Sequence, residues 1–394
     1  MTNSRALLFS TLLLLYGWSS CSPTDTEEAD ITTSFFIQLE EGHPAYEHRK
    51  IVQRVAGWAA ERDPVGSELL IIKDGRPIFR GNWGEMDRER IDPWRKNTIC
   101  RLRSLSNPIL ATAVLMLQKS GKLELEDPIS KYLPEFAENR WGRITIAELL
   151  SHTAGLSNIG SPKLLQESET LCAYVDALAA TETRPNRDRS QRFAEDDFNL
   201  IACLITRVSG MPLQQFLKKR IFQPLGMRDT YTTFNTDVPW RERLASTYSL
   251  SATGLGFRRI NNNETNPSVP YFHASRGVFS TALDYARFIR LWMNGGMVDG
   301  KQLLSPKEIQ LGHRIPNGMS SLPGVFSHAW ELFGGQPLEP RIPPPFGHIG
   351  ADESVVLASP EKGLVFIYLT QSRGGKTAAM FAEQVSEYLR TKTP

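Results

Sequence analysis

The hydrophobic pattern predicts a helix, a β-hairpin and a second helix in the first part of the chain. Apolar side chains recur at helical spacing within residues 46–60. Asp74-Gly75 then separates two short apolar runs, which predicts a hairpin over residues 68–84. Residues 108–120 form the next predicted helix, because a proline stands in its first turn and Gly121 follows its end.

The rest of the chain predicts helices in the middle and strands towards the C-terminus. The predicted helices cover residues 145–151, 170–181, 197–209, 212–220, 281–294 and 376–391, and the predicted strands cover 328–333, 353–358 and 364–370. Strands at both ends with helices between them favour an α+β fold. We therefore expect one antiparallel sheet, built from both termini, with an inserted helical lobe and a ligand cleft between sheet and lobe.

The N-terminal residues predict export and division of the chain into three parts. Arg5 precedes an apolar stretch too short to span a membrane, which is typical of a signal peptide over residues 1–20. Small residues directly before Cys21 resemble a bacterial lipoprotein processing site. We expect a lipidated, flexible tether over 21–44 and one globular domain over 45–394. An ordinary signal peptide with an incidental cysteine is the alternative.

The predicted lipid anchor also gives an expected location. Ser22 after Cys21 is compatible, by analogy, with sorting to the periplasmic side of an outer membrane. The polar, acidic composition of residues 22–34 lacks the apolar side chains that a folded segment would bury.

Charge and cysteine content exclude some kinds of partner. The formal net charge is +2, with acidic and basic residues mixed along the chain, so no basic nucleic-acid surface is expected. Cys100, Cys172 and Cys203 lie in apolar runs without metal-ligand spacing. We expect buried free thiols, with one disulfide as the alternative in an oxidising compartment. No metal or cofactor is predicted.

Several segments, in order, resemble the serine β-lactamase and penicillin-binding-protein family. They include LLSHTAGL (149–156), IFQPLGM (221–227) and FGHIG (346–350), and the match spans residues 50–392. It is closest to the class C enzymes and their esterase and D-aminopeptidase relatives. The resemblance implies a β-lactamase/transpeptidase-like fold and a small-molecule or cell-wall-derived ligand. It also implies that His152 of LLSHTAGL supports a turn.

The resemblance locates the family's Ser-x-x-Lys motif at residues 104–107. Ser104 occupies the nucleophile position, but Asn107 replaces the lysine that accepts its proton. A carboxamide has no useful basicity at neutral pH. A structural alternative is that Ser104 only caps the following helix. Arg103 stands where a small residue usually precedes the serine.

The other two motifs also map onto this chain by resemblance. Tyr-x-Asn aligns with residues 193–195, so Phe193 replaces the tyrosine and Glu195 replaces the asparagine. His-x-Gly is kept at residues 348–350, which assigns His348 to the catalytic cleft and Gly350 to substrate binding. Arg276 stands where relatives often have a small residue and is a second candidate for substrate binding.

These substitutions leave three hypotheses. The first is a catalytically degenerate binding or scaffolding module, in which Arg103 and Glu195 form an ion pair that fills the old site. The second is an active serine hydrolase of esters or small amides, in which Ser104 uses His348 and Glu195 as base and orienting acid. The third is that the motif alignment is displaced. Removing the group that activates a serine costs roughly 10⁴–10⁶ in turnover, or about 5–8 kcal/mol.

Overall fold

The computed structural model describes most of the expected globular part of the chain. The described residues are 39–138, 141–156, 162–181, 191, 193–232, 238–261, 274–316, 325–333 and 343–390. The predicted signal peptide, Cys21 and most of the predicted tether lie outside these residues.

Fifteen strands are found in the described residues. They are β1 (Gly66–Lys73), β2 (Arg76–Asp87), β3 (Asp92–Pro93), β4 (Cys100–Arg101), β5 (Thr247–Leu250), β6 (Phe257–Asn261), β7 (Phe279–Ser280), β8 (Met297–Val298), β9 (Lys301–Gln302), β10 (Val325–Phe326), β11 (Glu331–Leu332), β12 (Phe346–Ile349), β13 (Val355–Ser359), β14 (Leu364–Thr370) and β15 (Ser372–Arg373). Eight of them form one antiparallel sheet in the order β10-β11-β12-β13-β14-β1-β2-β3.

The described helices lie mostly between the N-terminal and C-terminal strands. They are α1 (Arg49–Ala60), α2 (Asn107–Lys119), α3 (Ile146–Leu150), α4 (Pro162–Glu167), α5 (Leu171–Ala179), α6 (Glu195–Ser209), α7 (Leu213–Leu217), α8 (Ala282–Met293), α9 (Pro306–Gly312) and α10 (Thr377–Arg390). Short 3₁₀ turns precede several elements, among them Arg103–Ser106 before α2 and Ala274–Arg276 before β7.

The central strands bury side chains on both faces of the sheet, because successive residues of a strand point to opposite sides. Leu69 and Ile71 of β1 pack in the cluster that contains α1 and α10. Leu70 and Ile72 pack on the other face, against the helical lobe and α8. β1 and β14 pair in the middle, with Leu70 opposite Ile367. The expected antiparallel sheet built from both termini, with an inserted helical lobe, is confirmed.

Element boundaries differ from the sequence prediction where short strands are involved. The predicted strand over 328–333 is present only as the two residues of β11. The predicted helix over 212–220 ends at Leu217 and continues as a π turn, Lys218–Phe222. The hairpin and the helix after it agree with prediction: Asp74 and Gly75 have positive φ angles of 49° and 79°, and α2 begins at Asn107.

The expectation of three free thiols is wrong for two of the cysteines. Cys172 of α5 and Cys203 of α6 form a disulfide, with their Cα atoms 5.1 Å apart. Cys100 is buried and free, and burial raises the pKa of its thiol well above the usual value. The bridge joins two helices that are 31 residues apart in sequence, a pairing that spacing alone does not reveal.

Within the described residues, no single helix is long and apolar enough to cross a membrane. Two successive helical segments would together be long and apolar enough, but they are bent by 76° relative to each other. They are Glu195–Ser209 and Leu213–Phe222.

Candidate active site

Ser104 lies in the 3₁₀ turn Arg103–Ser106, directly before α2. Its side chain is half-buried, and its backbone carbonyl accepts a hydrogen bond from the Asn107 N–H. Neither this turn nor α2 begins at Ser104, and no side-chain cap is formed at either start, so the helix-cap interpretation is wrong. The Tyr285 hydroxyl donates to the Leu105 carbonyl at 2.9 Å, which fixes the turn from behind.

The backbone directly before Ser104 has an unusual conformation. Arg103 has a φ angle of +52°, in the left-handed region that favours glycine. Its guanidinium Nε donates to the Asp352 carboxylate at 2.6 Å, and Asp352 is fully buried. This strong ion pair stabilises the side-chain position of Arg103 in a backbone conformation that arginine rarely adopts.

Asn107 occupies the lysine position as the first residue of α2. It is 2% exposed, and neither polar atom of its carboxamide has a hydrogen-bond partner among the described residues. A buried polar group without a partner costs about 1–3 kcal/mol. The side chain at the expected lysine position is therefore a buried, neutral amide without a hydrogen-bond partner among the described residues.

Phe193 lies just before α6, and Glu195 is the first residue of this helix. The Phe193 side chain is 45% exposed, and its ring centroid lies 4.7 Å from that of His152. The Glu195 carboxylate accepts a hydrogen bond of 2.9 Å from Arg276, in the 3₁₀ turn Ala274–Arg276. The expected Arg103–Glu195 ion pair is wrong, because each residue is paired with a different partner.

His348 lies on β12 and is buried. Its Nδ1 donates to the Ile349 carbonyl at 3.0 Å, because a carbonyl can only accept, and this leaves the lone pair on Nε2. Burial, the dominant effect, lowers the pKa of His348 to about 4. The imidazole is therefore neutral at pH 7, but it is a weak base.

Gly350 holds the end of β12 against the turn that carries Ser104. A Cβ at this position would lie 3.0 Å from the Leu102 carbonyl oxygen and 3.4 Å from Leu105 Cδ1. A Cβ here would make a contact tighter than most in proteins, so the turn would have to give by a few tenths of an ångström. The fold thus brings the first and third motifs together.

His152 has a partner that the sequence did not indicate. Its Nδ1 lies 2.7 Å from Asp197 Oδ2, and both side chains are buried. Burial lowers the pKa of His152 to about 3 and raises that of Asp197 well above its usual value, so burial disfavours the charged form of each group. His152 itself has a φ angle of +55° in the turn after α3, which agrees with the expected supporting role.

Further charged residues surround this region, and no pattern in the sequence indicates them. Asp352 accepts from Arg373 at 2.7 Å as well as from Arg103, and Arg101 is buried two residues before Arg103. Only the three-dimensional packing of β4, β12 and β15 brings them together. Among the described residues, no group of three acidic, histidine or cysteine side chains could hold a metal ion.

The fold and the order of the three motifs define a protein of the serine β-lactamase and penicillin-binding-protein class. The family model described as Beta-lactamase matches residues 48–388, and the chain belongs to this family.

Relatives and solved structures agree with this assignment. Protein Rv1367c of Mycobacterium tuberculosis is 28% identical over 248 residues, which cover 56% of this chain and 60% of that protein. The chain therefore matches only about three fifths of this relative's length. The octameric penicillin-binding protein homologue of Pyrococcus abyssi has a TM-score of 0.71 at 20% identity and covers 87% of this chain and 77% of its own. The class C beta lactamase of Rhodobacter sphaeroides has a TM-score of 0.68 at 19% identity, covering 86% and 98%. These two structures share the fold of this chain.

Proposed function

We propose that this chain is an envelope-anchored, catalytically impaired member of the Beta-lactamase family that acts as a binding or scaffolding module. One observation carries the proposal of impairment. The Ser104 hydroxyl forms no hydrogen bond with any described residue, so no base is bonded to it in the described part of the chain.

The chemistry of the replaced residues supports the same conclusion. A serine nucleophile needs a base within hydrogen-bond reach, because its own hydroxyl is a weak nucleophile. The Asn107 amide cannot accept a proton, and the Phe193 ring has no hydroxyl to relay one. The expected loss in turnover is roughly 10⁴–10⁶-fold.

The contacts of His348 and Glu195 disfavour the alternative proton relay. In a Ser-His-acid triad the acid orients the histidine through a hydrogen bond to the second ring nitrogen. Here the Nδ1 of His348 is bonded to the Ile349 carbonyl, whereas Glu195 is bonded to Arg276. In an active hydrolase of this kind, both side chains would have to leave these partners, so that Glu195 could accept a hydrogen bond from the Nδ1 of His348.

The retained fold supports a binding role. Gly350 still keeps β12 in contact with the Ser104 turn, and the ion pairs Arg103–Asp352 and Arg276–Glu195 add charged groups around that turn. Such a site can hold a ligand without reacting with it.

Serine reactivity tests the proposed impairment directly. The full chain, purified in detergent, is incubated with a fluorophosphonate probe, a fluorescent penicillin and a chromogenic ester, beside Ser104→Ala as control. We expect neither labelling nor turnover above that of the control. Labelling of the wild-type chain that disappears in Ser104→Ala would remove the proposal of impairment.

Metabolic labelling tests the proposed anchor separately. Cells that express the chain are given a palmitate analogue, and we expect label on the wild type and none on Cys21→Ala. A wild-type chain without label would contradict the lipid anchor, and it would leave the result on serine reactivity unaffected.

A further inference from the structure

Four arginines surround the turn that carries Ser104, and we call them the arginine cluster. They are Arg101 on β4, Arg103 in the turn itself, Arg276 in the 3₁₀ turn Ala274–Arg276, and Arg373 on β15. The turns at 103–106 and 274–276 pack against each other, and β4 pairs with β7 directly after the second turn. Residues far apart in sequence are thus gathered at one place.

Two carboxylates are paired with three of these arginines. Asp352 is shared between Arg103, at 2.6 Å, and Arg373, at 2.7 Å. Glu195 is paired with Arg276 at 2.9 Å. Arg101, Arg103 and Arg373 therefore lie around one carboxylate, that of Asp352, which leaves a surplus of two positive charges among these four described residues.

Arg101 is the fourth cation; Asp352 attracts it, but it forms no ion pair at contact distance with any described residue. Its residue is 8% exposed, and its backbone is held by the Gln371 side chain. Its guanidinium carbon lies 5.4 Å from the centroid of the Phe279 ring, and the guanidinium forms no hydrogen bond or ion pair with described residues. Burial, followed by repulsion from Arg103, lowers the pKa of Arg101 to about 10, so it remains charged at pH 7.

A buried cation without a counter-ion is costly, and it favours an anion from solution. The surplus of two positive charges in the cluster matches a group with two negative charges. A phosphate monoester carries about −1.5 to −2 charges at pH 7, and the planar guanidinium binds phosphate oxygens in pairs. A carboxylate carries one charge and would leave half of the surplus unmatched.

We propose that the arginine cluster binds a phosphate dianion beside Ser104, with Arg101 supplying the unpaired charge and Arg276 the more exposed contact. The inference rests on the proposed binding function and names the chemical class of its ligand. Inorganic phosphate and the terminal phosphate of a sugar or a lipid share this chemistry.

Calorimetric titration of the detergent-purified full chain with inorganic phosphate tests the inference. We expect one phosphate per chain and at least tenfold weaker binding of acetate. Arg101→Met should weaken phosphate binding by about tenfold to a hundredfold, the range expected for loss of a charged hydrogen-bond donor. Arg54→Met, at an exposed position on α1, is the matched control and should bind as the wild type does.

A variant that binds phosphate more tightly than the wild type must be folded, so a predicted gain of binding is also tested. Glu195→Gln removes one of the two carboxylates, so phosphate should bind several-fold more tightly to this variant. Arg276→Gln, at a partly exposed position, should weaken binding as Arg101→Met does. Glucose 6-phosphate and vesicles that contain phosphatidic acid are compared with inorganic phosphate, and the tightest binder identifies the source of the group.

Three results would overturn the inference: no binding of any phosphate compound, equal binding of acetate, or unchanged phosphate binding in a folded Arg101→Met chain. The same samples are treated with the fluorophosphonate probe. Labelling of Ser104 would contradict the proposed impairment alone, whereas the titration reports on the arginine cluster alone.

Discussion

Asn107 and His348 show how single buried side chains determine the chemistry of the site. The Asn107 amide has lost water without gaining a partner among the described residues, so it stabilises neither the fold nor a reacting proton. His348 keeps the family's residue type, but burial removes most of its basicity. Residue identity at the third motif therefore does not by itself indicate how basic the side chain is.

In the Asn107→Leu variant, the free energy of unfolding should stay the same or rise by up to about 2 kcal/mol, because the substitution removes an unsatisfied buried amide. Asn82→Leu is the matched control: Asn82 is also buried, but its Nδ2 donates to the Trp94 carbonyl at 2.7 Å. We expect the control to lose about 1–3 kcal/mol. Urea denaturation measures both, and a clear loss in Asn107→Leu would show that the amide has a stabilising partner.

Stability should decrease in acid partly through His348. Its pKa is about 4 in the folded chain against 6.5 for the unperturbed side chain. Above pH 6.5 both states are neutral and the residue contributes nothing. As pH falls towards 4 the unfolded state binds the proton first, so up to about 3 kcal/mol of stability is lost.

The His348→Gln variant isolates this contribution. The free energy of unfolding of the wild type, relative to the variant, should fall by about 2–3 kcal/mol between pH 7 and pH 4.5. Urea denaturation at both pH values gives this difference. A difference that does not change with pH would mean that His348 is solvated in the folded chain.

At the scale of elements, the close contact between β12 and the Ser104 turn depends on a glycine. In Gly350→Ala the new Cβ would meet the Leu102 carbonyl oxygen at 3.0 Å, so the strand or the turn must move. We expect a loss of about 1–3 kcal/mol in urea denaturation. Gly57→Ala on α1 is the control: its Cβ would meet nothing within 4 Å, and alanine is the better helix former by about 1 kcal/mol. Equal changes in the free energy of unfolding for the two variants would show that the turn accommodates a Cβ at position 350 without cost.

At the scale of the whole molecule, the sequence predicts what depends on local periodicity and ordered motifs. The Asp74-Gly75 turn, the sheet built from both termini and the three motif positions follow from such signals. The ion pairs Arg103–Asp352 and Arg276–Glu195 do not follow from such signals, because their partners are 249 and 81 residues apart in sequence, respectively. The Cys172–Cys203 bridge is of the same kind. Partners that meet only after folding leave no periodic signal in a single sequence.

Under the proposed impairment, we expect the recovery of activity to need more than the two proton-handling residues, because the partners of the ion pair Arg276–Glu195 also meet only after folding. Asn107→Lys with Phe193→Tyr returns an amine and a phenol, but the Arg276–Glu195 ion pair still joins α6 to the turn packed against Ser104. We expect no gain in fluorophosphonate labelling from this double variant. Adding Glu195→Asn and Arg276→Gly removes both partners of the ion pair at once and leaves neither charge alone.

The fluorophosphonate probe should label the four-residue variant at least about tenfold faster than the double variant. This corresponds to a difference of about 1.36 kcal/mol in activation free energy. Ser104→Ala in the same background should abolish the label and so assigns it to the expected hydroxyl. Equal labelling of the double and four-residue variants, at a rate above that of the wild type, would locate the loss of chemistry entirely in the missing amine and phenol. A faster four-residue variant would mean that the charged residues of the site had closed it to substrates as well.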